Sequence, residues 1–188
     1  MGVPFLDPRP MNAEDFFAFT ATRPDDEKWE LIDGEPVLNA SATRLHQKIL
    51  GNLFLSLAQL AREKRAPWEI LPGIGVRLSD ANVPVPDLLI RPNDDLAGPE
   101  CRDMIIAIEI LSPSTASRDL RWKRRAYATL PSLSQYVVVA QDAVEIVSYD
   151  RPDLFAERRF DSADAVLDLP AIGAQLSLRE IYRDTGLS

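Results

Sequence analysis

The stretch MIIAIEIL, residues 104–111, constrains this chain more than any other. Its side chains are apolar and largely β-branched, the composition of a buried strand, yet Glu109 interrupts it. A buried carboxylate without a partner costs on the order of several kcal/mol, so it is normally neutralised, paired or bound to a metal. The fold must therefore bring something to Glu109.

The remaining pattern supplies a mixed sheet and two main helices. MNAEDFFAFT reads as a short helix with Asn12 as N-cap and acids in its first turn. KWELIDGEPVLN alternates and turns at Asp33-Gly34, a strong hairpin signal that puts Glu30 on the first strand. Between Thr43 and Arg65, Leu45, Ile49, Leu53, Leu57 and Leu60 recur at three- and four-residue steps and make one helical stripe. Three extended segments follow: EILPGIGVRLS, VPVPDLLIRP and MIIAIEILS. A second helix runs from about Ser117 to Leu130 and is stopped by Pro131, with the SPST turn before it. QYVVVAQD and VEIVSYD form a strand pair around Asp142-Ala143, LFAERRF an edge strand, and Ser177 and Glu180 have capping-box spacing. The fold class expected is α/β or α+β, a mixed β-sheet core flanked by helices. The 188 residues suit one domain over 1–188, with residues 1–11 as an extended N-terminal arm.

Composition narrows the function classes. A chain with 46% hydrophobic and 27% charged residues is an ordinary globular protein. No apolar run reaches a membrane span and the N-terminus lacks a signal-peptide layout, so a cytoplasmic location is expected. Cys101 is the single cysteine and reads as inert, which rules out an internal disulfide and a Cys/His zinc cluster. A net charge of −8 argues against broad wrapping by nucleic acid, where affinity comes from neutralising phosphates. Residues 117–125, SRDLRWKRR, are a local exception, and Arg118, Arg121 and Arg124 are the candidate nucleic-acid contacts.

Four ionisable residues sit where structure alone would prefer something else. Asp87 follows Pro86 and opens an apolar run; Glu109 interrupts the next strand; Glu30 precedes the hairpin; Lys123 lies on the basic helix with Asp119 and Tyr127 one turn to either side. Carboxylates on neighbouring strands can face the same side, about 5 Å apart across the ladder. Held that close they share a proton or a divalent cation. Mg²⁺ suits hard oxygens, one or two carboxylates and substrate phosphates, with the Ile110 carbonyl as a further ligand. A neighbouring lysine would balance charge developing on a phosphate.

At these residues the chain resembles the PD-(D/E)XK nuclease superfamily, the fold of many restriction endonucleases. More narrowly, WELIDGEPV, HQKILGNL, VPDLLI, EILSPST and KRRAYA occur in the order seen in the Uma-type restriction endonuclease-like family, and the similarity runs from about Asn12 to Tyr182. The resemblance implies an endonuclease hydrolysing DNA phosphodiester bonds with Mg²⁺ or Mn²⁺. Asp87 and Glu109 would hold the cation, Lys123 would stabilise the transition state, and Glu30 would be an additional acid nearby. His46 and Tyr127 would be accessory, and cutting both strands would suit a homodimer. One departure stands out. The superfamily's lysine usually lies two residues after the glutamate, where this chain has Leu111, and Lys123 on the following helix is the matching amine.

Plainer readings exist for each residue. Glu109 and Lys123 can form a buried ion pair with no catalytic purpose. Asp87 can cap a turn after Pro86, and the basic helix can be a solvated face supported by Asp119. His46 can be a packed helix residue. At the level of function, the alternatives are a nucleic-acid-binding or assembly protein with a degenerate site, and a glycosidase using the same acids, for which the aromatic-poor loops offer little.

Overall fold

The computed structural model describes residues 10–24, 26–93, 100–111 and 116–187, and of residues 116–119 the backbone alone. The expected N-terminal arm and the SPST turn therefore fall largely or wholly outside the described residues, as do the Asp119 and Arg118 side chains.

The chain opens with α1 (Ala13–Thr20), whose N-cap Asn12 accepts the Asp15 amide. Strands β1 (Trp29–Ile32) and β2 (Glu35–Leu38) form the expected hairpin. Asp33 and Gly34 both have positive φ, 51° and 81°, as the tight hairpin turn requires. A Cβ on Gly34 would stand 2.7 Å from Pro10 Cβ, so that position admits only glycine. Helix α2 (Arg44–Lys64) is capped by Thr43 and stopped at Arg65 in the left-handed region.

The first expected extended segment is broken. It gives β3 (Trp68–Pro72) and the short β4 (Gly75–Val76), separated where Gly73 takes a φ of +64°. Then come β5 (Leu88–Pro92), β6 (Glu100–Cys101), which pairs in parallel with β4, and β7 (Ile106–Leu111). Helix α3 (Ala116–Ala128) leads to β8 (Gln135–Ala140), β9 (Ile146–Asp150) and β10 (Glu157–Phe160). A hairpin of β11 (Val166–Leu169) and β12 (Ala174–Ser177), not foreseen from sequence, ends in the one-turn α4 (Leu178–Ile181). Ser177 caps α4 by position, but its side chain makes no capping bond, so the expected capping box does not form.

Six strands make the main sheet in the order β10-β9-β8-β7-β5-β3. Only β7 and β8 run parallel, and α3 is the crossover that a parallel neighbour needs. Both faces are thus covered. Ile106, Ile108 and Ile110 of β7 pack with Ile49, Leu53 and Leu57 of α2, while Ala107 joins Leu89, Val138, Tyr136 and the α3 residue Tyr127 on the other side. Alternation along the strand then gives Glu109 to the α3 face. This is the mixed α+β architecture expected, with Glu109 buried in its middle. Among the described residues no helix is long and apolar enough to cross a membrane.

The C-terminal segment is tied back through Asn52, buried on α2, whose amide donates to the Ile181 and Arg183 carbonyls at 3.0 and 2.8 Å. Asn52→Ala leaves two carbonyls without that donor and should cost about 1–3 kcal/mol in urea unfolding. The loss should appear with faster amide exchange in residues 178–183 than in β7.

Candidate active site

Two hydrogen-bonded groups meet at the peptide joining Glu109 to Ile110. The first lies between β7, α3 and the β1–β2 hairpin. Lys123 Nζ stands 2.8 Å from Glu109 Oε1 and 2.9 Å from Glu30 Oε1. Tyr127 OH donates to the same Glu109 oxygen at 3.0 Å, and the Val85 amide donates to Glu30 Oε1 at 2.7 Å. Lys123 and Tyr127 share a helix face by their i,i+4 spacing, so α3 delivers both groups to one carboxylate.

The second group surrounds Asp87. Asp87 stands one position before β5, and continuing the β5–β7 register places it across from Glu109. Its Oδ2 accepts the Ile110 amide at 2.8 Å and lies 3.1 Å from His46 Nε2. Its Oδ1 is 2.8 Å from Lys28 Nζ. His46 sits in the first turn of α2, where Thr43 accepts its amide. The Ile110 amide points to Asp87, and in extended chain the carbonyl of the same residue leaves on the same side. The Leu111 carbonyl, by alternation, faces β8 and accepts the Gln141 amide.

Electrostatics separates the two acids. Burial works against the charge of Asp87, but the His46 hydrogen bond and the Lys28 charge outweigh it and hold its pKa well below the usual carboxylate range. Burial pushes Glu109 up to about 7, helped by the charges of Asp87 and Glu30 and opposed by Lys123. Glu30 is also buried, yet Lys123 and the Val85 amide hold it below its ordinary value. Burial works against the charge of Lys123, and the attraction of Glu109 and Glu30 overcomes it and raises its pKa. Tyr127 is raised by burial and by Glu109, so it remains a donor.

The site thus gathers three carboxylates against two ammonium groups. Among the described residues, no three His, Cys, Asp or Glu side chains are already arranged around a metal position. The donor chemistry nevertheless fits a hard divalent cation. Mg²⁺ needs only one or two carboxylates beside waters and phosphate oxygens, and Asp87 and Glu109 supply two from neighbouring strands.

Seven of the residues singled out from sequence, Glu30, His46, Asp87, Glu109, Ile110, Lys123 and Tyr127, come together in these two groups. The basic stretch is less uniform. Arg121 is exposed, whereas the Arg124 guanidinium lies 5.0 Å over the Tyr149 ring and serves packing. Lys28 was not foreseen. It lies just before β1, and only the fold brings Asp87 to it. Asn39, which hydrogen-bonds Glu30 from the end of the hairpin, was equally silent in the sequence. Buried Cys101 has its pKa raised by burial to about 11, which agrees with an inert thiol.

This sheet, with its acids at the end of the central strands and its lysine beside them, is restriction endonuclease-like. The family model described as "Uma2: Putative restriction endonuclease" matches residues 13–179, and the chain belongs to that family. A structure from Anabaena variabilis ATCC 29413, described as a "putative nuclease belonging to DUF820", is similar over 92% of this chain and 98% of that one, with a TM-score of 0.75. At 15% identity that likeness shows the fold alone. "Uncharacterized protein slr1290" from Synechocystis sp. is 35% identical over 80 residues, a match spanning 42% of each protein. Family membership supports a nuclease-like function.

The raised Glu109 pKa makes a prediction of definite sign. Between its ordinary value of 4.5 and about 7, the folded protein binds more protons at this carboxyl than the unfolded chain does. Its contribution to stability therefore falls as pH rises through that window. Denaturant unfolding from pH 5 to 8 should show a decline that flattens in Glu109→Gln. Parallel profiles would show that Glu109 does not titrate there.

Proposed function

We propose that this chain is a divalent-cation-dependent nuclease that hydrolyses DNA phosphodiester bonds. The observation that carries the reading is the meeting of the Glu30–Lys123–Glu109 group and the Asp87 group at one peptide, Glu109–Ile110. Asp87, Glu109 and the Ile110 carbonyl are the ligands we assign to Mg²⁺ or Mn²⁺. What such a cation supplies is Lewis acidity toward phosphate and water.

The protein's own residues do the rest. Asp87 stays anionic and is oriented by the Ile110 amide and His46. Glu109 is held by Tyr127 and Lys123, and as a cation ligand it would be the carboxylate, its proton lost to solvent. An ammonium has three donors, of which Lys123 gives two to Glu30 and Glu109; the third is the one offered to a phosphate oxygen as negative charge grows there. Glu30 is a positioning residue, fixing that ammonium beside Glu109. The exposed Arg121 and Arg125 give the acidic chain a local basic surface for a DNA backbone. Two copies about a two-fold axis would match the symmetry of a duplex.

A second reading keeps the fold and removes the chemistry. Its support is the closure of the Lys123 ion pairs on both acids, which a purely structural rivet would also show. The two separate by assay. Purified protein should nick or cut plasmid DNA with Mg²⁺ or Mn²⁺ and be silent in chelator, and Asp87→Asn or Glu109→Gln should abolish cleavage. Lys123→Ala should slow it by about 10²–10³ while Mn²⁺ binding persists. Plasmid, linear and single-stranded DNA all left intact by wild-type protein over a metal series would decide for the binding-protein reading.

A further inference from the structure

We propose that Lys28 is a removable counter-ion of this site: its ammonium holds Asp87 Oδ1 in the cation-free protein and is displaced from it when a divalent cation binds. The inference rests on the cation site assigned above and adds to it the group that competes for it.

The two lysines of the cluster are built differently. Lys123 is buried, bridges two carboxylates and keeps only 10% of its side chain exposed. Lys28 touches a single oxygen of one carboxylate and leaves 35% of its side chain in solvent. Asp87 does not need Lys28 for its orientation, because the Ile110 amide and His46 both hold the other oxygen, Oδ2. Departure of Lys28 thus opens Oδ1 without freeing the carboxylate to turn. The ammonium, a point charge on a flexible stem, can reach water without disturbing the core.

Residue choice points the same way. The chain has 21 lysines and arginines, but only Lys28, Lys48, Lys64 and Lys123 are lysines. Two of these four are spent on the same acid cluster. An arginine at position 28 could grip Asp87 with two parallel hydrogen bonds, which suits a permanent pair and not one meant to open. A cation and an ammonium that need the same oxygen exclude one another, so each weakens the other's hold by the same factor.

Mn²⁺ binding, followed by calorimetry without nucleic acid, tests the inference in wild type, Lys28→Met, Lys28→Arg and Asp87→Asn, with circular dichroism confirming the fold of each. Lys28→Met keeps the stem and removes the charge; it should bind Mn²⁺ more tightly, on the order of tenfold, while Lys28→Arg binds no more tightly than wild type. In protein carrying ¹⁵N-labelled lysine, the Lys28 ammonium, assigned by its loss in Lys28→Met, should exchange protons with solvent faster in saturating Mg²⁺ than in chelator. If Lys28→Met matches wild type within about twofold, or binds more weakly, while Asp87→Asn abolishes binding, Lys28 is a fixed part of the site and the inference falls with the cation site intact. Unchanged ammonium exchange overturns it likewise. If no protein binds Mn²⁺ better than Asp87→Asn, the cation site itself is wrong and the inference goes with it.

Discussion

One ammonium group joins the parts of this protein that the backbone leaves separate. The β1–β2 hairpin stands outside the six-stranded sheet, and an isolated two-stranded hairpin is marginal by itself. It is anchored where Leu31 bridges to Val83 and where Glu30 accepts both the Val85 amide and Lys123. Lys123 in turn ties the hairpin to β7 through Glu109 and to its own helix α3. Removing one member of such a buried set strands the others without a partner, at a cost of about 3–5 kcal/mol. The group that would serve chemistry is therefore also the rivet of the fold, and this is why a structural and a catalytic account of Lys123 predict the same contacts.

The two central acids differ because their donors differ. Asp87 sits at the mouth of the strand pair and collects an amide, an imidazole and an ammonium, so its charge is secured despite burial. Glu109 lies deeper, shares its ammonium with Glu30 and receives one tyrosine hydroxyl, so burial dominates. One acid whose pKa is lowered by its donors and one whose pKa is raised by burial make an asymmetric pair.

How much of this could be read from the chain follows from the range of each signal. The hairpin at Asp33-Gly34, the α2 stripe and the apolar strand holding Glu109 rest on local pattern, and each appears where the pattern puts it. The anomaly of Glu109 was legible because a carboxylate in an apolar strand demands a partner. Lys28 gave no such warning: a lysine beside acidic Asp26 and Glu27 looks like surface, and only the tertiary approach of Asp87, 59 residues away, gives it a role. The β11–β12 hairpin was missed because exposed, apolar Val166 blurs its alternation, and Leu167, Leu169 and Leu176 acquire meaning only against the α2 face of the sheet. The capping box at Ser177 failed for another reason. A four-residue helix following directly on β12 has its backbone direction set by the hairpin, and the serine side chain is not needed to start it.

The relocated amine shows what the change of element entails. Leu111 follows Glu109 by two residues and so faces the same side, but it packs into the cluster of Tyr127, Tyr136 and Val138. A lysine on the strand would have its position fixed by the sheet ladder itself. A lysine on α3 has its position fixed only as well as the helix is docked, so rotation of α3 about its axis would carry Lys123 away from Glu30 and Glu109. That rotation is blocked by aromatic packing: Tyr127 meets Tyr136 edge-on at 5.3 Å, Tyr136 stacks on Tyr149 at 5.9 Å, and Arg124 lies over Tyr149 at 5.0 Å. Arg124 and Tyr127 flank Lys123 on the helix, and both are locked to the sheet. Directional ring contacts of this kind hold a helix in one orientation where aliphatic packing alone would tolerate several. The tyrosine cluster beneath α3 is therefore what holds the Lys123 ammonium between Glu30 and Glu109.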